Sequence, residues 1–203
     1  MKTVKFKNEN VCPSKIVCIG KNYTEHIKEL NDEIPEQQVI FIKPNSSISN
    51  DIYSIKNDVI HYEGEISFLI KSGEINGVGF GLDLTKREVQ SKLKAKGLPW
   101  ERSKAFDKAA VFSEFIPFSG NINDLRLELY INGRLAQSGG CNLMINKPAQ
   151  ILNEIKSFIS LEDNDIIMSG TPKGVGPIES GDRFHGKIFE GEKLIVESLW
   201  TVK

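Results

Sequence analysis

Cysteine and histidine are scarce in this chain, and long apolar runs are missing altogether. Three cysteines (Cys12, Cys18 and Cys141) and three histidines occur in 203 residues. The cysteine count is odd, and no C-x-x-C pair or cysteine–histidine cluster is present, so neither a disulfide framework nor a zinc site is expected. That usage fits a reducing compartment. No apolar stretch approaches the ~20 residues that span a bilayer. Met1 to Asn10 lacks the hydrophobic segment of a secretory signal. A cytoplasmic location without membrane contact is therefore expected. An excess of either charge is lacking too: 26 Lys and Arg against 27 Asp and Glu give a net charge of −1, which draws in neither nucleic acid nor anionic lipid. The most basic run, Lys86, Arg87, Lys92, Lys94 and Lys96, falls on an expected helix and reads as a solvated face. The phosphate-loop spacing G-x-x-x-x-G-K-[ST] is absent. No repeat, low-complexity segment or linker divides the chain, so one domain over residues 1–203 is expected.

What is present is an ordinary globular composition, 39% hydrophobic and 26% charged. Short apolar runs outnumber helical patterns and do not alternate with them. An α+β fold follows, with β-rich, curled mixed or antiparallel sheets and a few peripheral helices. Asn132-Gly133, between the alternating Leu125, Leu127, Leu129, Ile131 and the returning Leu135, Ala136, Gln137, is the strongest hairpin signal. Gly73 to Gly77 reads as a turn. Pro148 opens a helix whose Ile151, Leu152, Ile155, Phe158 and Ile159 form an apolar stripe.

The stretch Tyr62-Glu63-Gly64-Glu65-Ile66-Ser67-Phe68-Leu69-Ile70 organises the rest. As a strand it turns Gly64, Ile66, Phe68 and Ile70 one way and Glu63, Glu65, Ser67 and Leu69 the other. Two carboxylates one pleat apart repel and raise each other's pKa unless a cation lies between them. Oxygen-only ligands select a hard cation such as Mg²⁺, Mn²⁺ or Ca²⁺. Taken alone, the pair reads more readily as two solvated glutamates on an exposed strand edge, since charged residues are mostly exposed. Asp83 closes a small, apolar strand at the corner before a helix that Thr85 and Glu88 would cap, a place that exposes a carboxylate and keeps it ionised. Arg87 and Gln90 project from the first turns of that helix, which Gly97 ends.

Asn22 and Glu25 offer a start to a short helix on which His26 and Glu29 share one face. They read as a general-base dyad or as a surface pair. Lys43 ends the apolar run Val39–Ile42, as a snorkelling lysine or a substrate cation. The glycine-rich Thr171–Gly176 can present N–H groups to an anion.

Six blocks together resemble the fumarylacetoacetate hydrolase family. They are Gly20-Lys21-Asn22-Tyr23 with His26 and Glu29; Phe41-Ile42-Lys43-Pro44; and His61-Tyr62-Glu63-Gly64-Glu65. Leu82-Asp83-Leu84-Thr85 with Arg87 and Gln90, Gly97-Leu98-Pro99-Trp100 with Lys104, and Ser169–Gly176 complete the set. They stand in the family's order and span most of the chain, and the likeness is to its short acylpyruvate hydrolase type. The resemblance implies the β-roll of the family's C-terminal domain. It implies Glu63, Glu65 and Asp83 as ligands of Mg²⁺, with Mn²⁺ or Ca²⁺ in its place. It implies His26 and Glu29 as the water-activating dyad, Lys104 and Gln90 as oxyanion stabilisers, and Lys21, Lys43, Arg87 and Thr171 around a small-molecule 2-oxo acid. Lys21 departs from the pattern, standing where many relatives carry arginine. A lysine cannot clamp a carboxylate through two parallel bonds. The activity implied is metal-dependent hydrolysis of a C–C bond in a 2,4-dioxo acid, an acylpyruvate or fumarylpyruvate-like compound, giving pyruvate and a carboxylic acid. Oxaloacetate decarboxylation or tautomerisation, or isomerisation of 2-hydroxyhepta-2,4-diene-1,7-dioate, on the same site is the alternative. A metal-stabilised binding protein without activity would have no use for His26, Glu29 and Lys104. A homodimer is implied as well.

Overall fold

The computed structural model describes residues 1–56 and 58–203. A curled eight-stranded mixed sheet carries the molecule. Its strands run in the order Val39–Pro44, Lys15–Gly20, Ile166–Met168, Gly64–Lys71, Glu74–Asp83, Ala110–Phe112 and Ile48–Ser49, and Ile116–Pro117 also pairs with Glu74–Asp83. A four-stranded antiparallel sheet, ordered Arg134–Gly140, Leu125–Ile131, Arg183–Glu190 and Lys193–Thr201, covers one side of it. The α+β, β-rich expectation holds, and the helices sit at the periphery.

The Gly64–Lys71 strand is buried on both faces. Ile66, Phe68 and Ile70 join Val78, Phe80 and Leu82 in the main core, with Leu127, Leu129, Phe184 and Trp200 of the four-stranded sheet. The opposite face, Glu65, Ser67 and Leu69, continues across the sheet through Ile166, Met168, Ile16 and Cys18, which join Phe6 and Phe115 in a second buried cluster. Gly79, paired with Ser67, lets that cluster approach: a Cβ there would lie 2.9 Å from the Phe115 ring. The solvated-edge reading of Glu63 and Glu65 is thereby excluded.

The two turns expected from sequence each rest on two successive residues with positive φ, as type I′ turns require. They are Asn132 (52°) with Gly133 (78°), and Ser72 (51°) with Gly73 (74°). The second corrects the expected turn over 73–77. Only positions 72 and 73 are left-handed, and the strand resumes at Glu74. The Pro148–Phe158 helix buries Ile151, Leu152 and Ile155 as expected, but Phe158 is exposed. Among the described residues no helix is long and apolar enough to cross a membrane.

Candidate active site

The pairing of Gly64–Lys71 with Glu74–Asp83 assembles three carboxylates. Gly64 lies opposite Leu82 and Glu65 opposite Gly81, and the Asp83 N–H donates to the Glu63 carbonyl at 2.9 Å. One ligand oxygen from each of Glu63, Glu65 and Asp83 lies within 4.8 Å of the others. All three are buried, Asp83 at 1% exposure, against the expectation of an exposed corner. Asp83 is covered because the chain does not enter the helix there. Thr85–Lys86 first forms a two-residue strand against Ile60–Tyr62, and the helix Arg87–Ala95 begins without a side-chain cap. The Thr85 hydroxyl is used elsewhere: it donates to the Asp83 carbonyl and accepts from Lys104.

Three cations answer the three carboxylates. Lys104 Nζ donates to Glu63 Oε2 at 2.8 Å, Asp83 Oδ2 at 2.6 Å and Thr85 Oγ1 at 2.6 Å. Arg87 Nη2 donates to Glu63 Oε1, and its Nη1 donates to Gln90 Oε1 at 2.6 Å. Lys43 Nζ lies 2.7 Å from Asp83 Oδ1 and donates to the carbonyls of Leu84 and Lys104. Lys43 is wholly buried, so it is no snorkelling surface residue.

The charges are unevenly shared. Burial pushes the Glu63 carboxyl up, but Lys104, Arg87 and His26 outweigh it and hold it well below the usual range. Burial pushes Glu65 well above that range, with Asp83 and Glu63 adding to it against the Gly170 N–H and Lys104. Burial disfavours the Lys104 ammonium, yet Asp83 and Glu63 raise its pKa. Asp83 Oδ1, although close to Lys43, receives no aligned hydrogen bond from the described residues. A buried all-oxygen donor set with surplus acceptor capacity at Asp83, and a Glu65 carboxyl that no cationic side chain among the described residues contacts, fits a hard dication, which would favour the ionised form of Glu65.

The short helix Thr24–Glu29 brings the dyad. His26 Nδ1 and Glu29 Oε2 are 3.0 Å apart, and Glu29 Oε1 accepts the Gly174 N–H at 2.9 Å. Asn22 does not cap this helix. Its amide donates to the carbonyls of Ser169 and Asn146 and accepts the Asn146 N–H, which fastens the helix start to the glycine-rich loop. That loop presents N–H groups to anions as expected, and the anions are the protein's own: Gly170 N–H to Glu65 Oε2 at 2.7 Å, and Gly174 N–H to Glu29. The Thr171 hydroxyl is spent on the Gly64 carbonyl and the Gln137 amide.

A pocket of about 30 Å³ opens here, room for little more than a water or two. His26, Glu63, Arg87, Gln90 and Lys104 line its depth. Phe41 and Trp100 wall it, with ring centroids 5.8 Å apart. Lys21, Asp32 and Lys94 stand with them. Asp32 and Lys94 belong to no motif, and Trp100 stands in a family block but has no role attached to it. Lys94 was legible only as Arg87 plus seven, the same helix face, which corrects its reading as part of a solvated face. Lys43 and Thr171 support the triad from beneath and are not among the lining residues.

The fold and this site define a metal-type carboxylate centre on a curled β-roll. The fumarylacetoacetate (FAA) hydrolase C-terminal family model matches residues 15–194, and the chain belongs to that family. It is 38% identical to the oxaloacetate tautomerase YcgM of Escherichia coli (strain K12), across 92% of this chain and 93% of that one. It superposes at a TM-score of 0.95 on a candidate fumarylacetoacetate isomerase/hydrolase from Oleispira antarctica, 34% identical over 100% of both chains. The fumarylpyruvate hydrolase of Pseudomonas aeruginosa, solved in complex with Mn²⁺ and pyruvate, superposes at 0.88 with 25% identity, over 100% of this chain and 96% of that one.

Proposed function

We propose that residues 1–203 form one catalytic unit that interconverts the enol and keto forms of oxaloacetate or a close 2-oxo acid, with Glu63, Glu65 and Asp83 holding a divalent cation. Hydrolysis of an acylpyruvate, the first expectation from sequence, becomes the second reading. The observation that carries the order is the match to an oxaloacetate tautomerase over nearly the whole of both chains, in a site where His26 of the dyad and Glu63 of the carboxylate triad line one small pocket.

A bound Mg²⁺ or Mn²⁺ would supply Lewis-acid stabilisation of the enolate charge. The other requirements fall to side chains. Tautomerisation moves one proton from the enol hydroxyl to C3. Glu29, accepting from His26 Nδ1–H, leaves Nε2 as the basic nitrogen, and the Gly174 N–H keeps Glu29 in place. Arg87, braced on Glu63 and Gln90, and Lys104 supply positive charge beside the developing oxyanion. Phe41 and Trp100 exclude water, which strengthens each of these contacts.

The test is the decay of the enol's ultraviolet absorbance with and without Mg²⁺ or Mn²⁺, beside pyruvate release from oxaloacetate and from acylpyruvates. Acceleration of enol decay above the metal-only blank is expected. No acceleration by folded, metal-loaded protein would overturn the reading. Hydrolysis keeps its place because of the fumarylpyruvate hydrolase likeness and because the same His26 could activate water. Faster pyruvate release from acylpyruvates than enol decay would put it first.

A further inference from the structure

The pocket mouth holds an ion cluster that the proton-transfer chemistry does not use. Asp32 is gripped by Lys94, whose Nζ donates to Oδ1 at 2.8 Å and Oδ2 at 2.5 Å, and Lys21 Nζ lies 3.6 Å from Oδ2. All three side chains are partly covered, between 18% and 30% exposed, and all three line the same pocket as His26, Glu63 and Arg87.

Each is placed by the fold. The Thr24–Glu29 helix ends with Asn31 in the left-handed region (φ 51°). The Asp32 N–H returns to the Ile27 carbonyl at 3.0 Å and the Asn31 N–H to the Lys28 carbonyl at 3.0 Å. This pair of bonds is a Schellman close, and it fixes where Asp32 leaves the helix. Lys21 is also left-handed (φ 55°), directly after the Lys15–Gly20 strand. Lys94 follows Arg87 and Gln90 on one helix face, about 6 Å beyond Gln90 along the axis. That distance is of the order of a four- or five-carbon diacid. The mouth therefore carries two cations that close on a carboxylate, a short acid's length outside the groups that would hold the reacting end.

We propose that Lys21 and Lys94 form a second anion subsite, that Asp32 occupies it as a built-in carboxylate, and that the substrate is a 2-oxo dicarboxylic acid whose far carboxylate displaces Asp32. The proposal rests on the 2-oxo acid reading above. The pocket agrees with it: at about 30 Å³ with Asp32 among its lining residues, it has no room for a diacid as it stands. The departure at Lys21 acquires a purpose too, since two lysines converging from different elements can hold the carboxylate that one lysine cannot clamp alone.

The experiment is calorimetric titration of Mn²⁺-loaded protein with 2-oxoglutarate and with 2-oxobutyrate, which differ in the far carboxylate. Wild type should prefer 2-oxoglutarate by about tenfold or more. Lys94→Ala and the milder Lys94→Gln should erase most of the preference. Asp32→Asn should widen it several-fold, because a competitor is removed while both cations stay. Those opposite signs separate a subsite from a structural latch, which would move all three variants the same way. Equal binding of the two acids by wild type, or same-sign shifts, would overturn the subsite. Enol–keto turnover of oxaloacetate, measured on the same preparation, distinguishes the failures. Turnover without binding preference rejects the subsite alone, and absence of both rejects the 2-oxo acid reading with it.

Discussion

Lys104→Met should weaken the metal-free protein and tighten its grip on metal. The Lys104 ammonium is 2% exposed and contacts Glu63 Oε2 at 2.8 Å and Asp83 Oδ2 at 2.6 Å. Methionine keeps the stem beside Phe41, over whose ring the ammonium stands at 5.1 Å, and removes only the charge. Breaking a buried ion pair from one side costs about 3–5 kcal/mol. One unit charge about 4 Å from another, at an effective dielectric near 20, gives the same order. At roughly 2–4 °C per kcal/mol for a domain of this size, the melting temperature in EDTA should fall by roughly 6–20 °C. Glu63 and Asp83 are also two of the three carboxylates that would hold a dication, so the ammonium would compete with it. Relief of even about 1.4 kcal/mol of repulsion is tenfold in affinity. Mn²⁺ should therefore bind the variant about tenfold tighter or more, and saturating Mn²⁺ should restore most of the lost melting temperature while turnover stays low. Calorimetric titration with Mn²⁺ and thermal unfolding in EDTA and in Mn²⁺ read both effects. Weaker Mn²⁺ binding than wild type, or an equal melting loss with and without metal, would show that lysine and metal do not share these carboxylates.

Gly174→Ala places a Cβ 2.0 Å from the Ala136 carbonyl at a φ of 102°, so the loop must shift and release Glu29. A drop in kcat of about tenfold is expected with Mn²⁺ affinity retained, and a wild-type kcat would contradict it. His26→Ala should reduce pyruvate release from acylpyruvates more than decarboxylation of oxaloacetate, because only the former needs an attacking water. Parallel losses in a two-substrate assay would refute the distinction. Asp165 accepts from the Ser14 N–H and hydroxyl, from Lys15 N–H and Nζ, and from the Glu162 N–H. Burial opposes its charge, but Lys15 and these donors hold its pKa below the ordinary value. Its contribution is thus present above about pH 4 and is lost as pH falls through the lowered folded value. Asp165→Asn should cost about 2–4 kcal/mol at pH 7, and the gap to wild type should narrow below about pH 4. A gap in urea unfolding that does not change with pH would count against this.

Local periodicity and turn chemistry were legible in the sequence. The period-two pattern put Glu63 and Glu65 on one face, and Asn132-Gly133 marked its hairpin. What failed depends on contacts between segments far apart in the chain. The second face of the Gly64–Lys71 strand is buried because residues near 112–115 pack on it and 166–168 pair beside it, which no window around Glu65 contains. Asn22 and Thr85 carry capping side chains, but tertiary partners outcompete the helix ends for them: Ser169 and Asn146 for Asn22, Lys104 for Thr85. The 73–77 turn was misplaced because Gly77 is a packing glycine. A Cβ there would lie 3.0 Å from Phe6, and the left-handed pair is Ser72 and Gly73. Asp83 joined Glu63 and Glu65 on paper only through the family blocks, since nothing local distinguishes it from any carboxylate at a strand end.

The two buried lysines at Asp83 show why charge alone does not assign a role. Lys43 approaches Oδ1 and Lys104 approaches Oδ2. Lys43's other partners are main-chain carbonyls, those of Leu84 and of Lys104 itself, and backbone oxygens give it no exchangeable counter-charge. It ties the short helix Glu101–Lys104 to the end of the metal-type strand and so sets where the Lys104 side chain begins. Lys104's other partners are a carboxylate and a hydroxyl, and it lines the pocket. A bound dication would add two positive charges to this cluster; Lys43 is wholly buried and tied to two carbonyls, whereas Lys104 lines the pocket and would be the cation with room to give way. In the proposed reaction the lysine at the pocket would then be the one to face the oxyanion, with the wholly buried Lys43 as its strut.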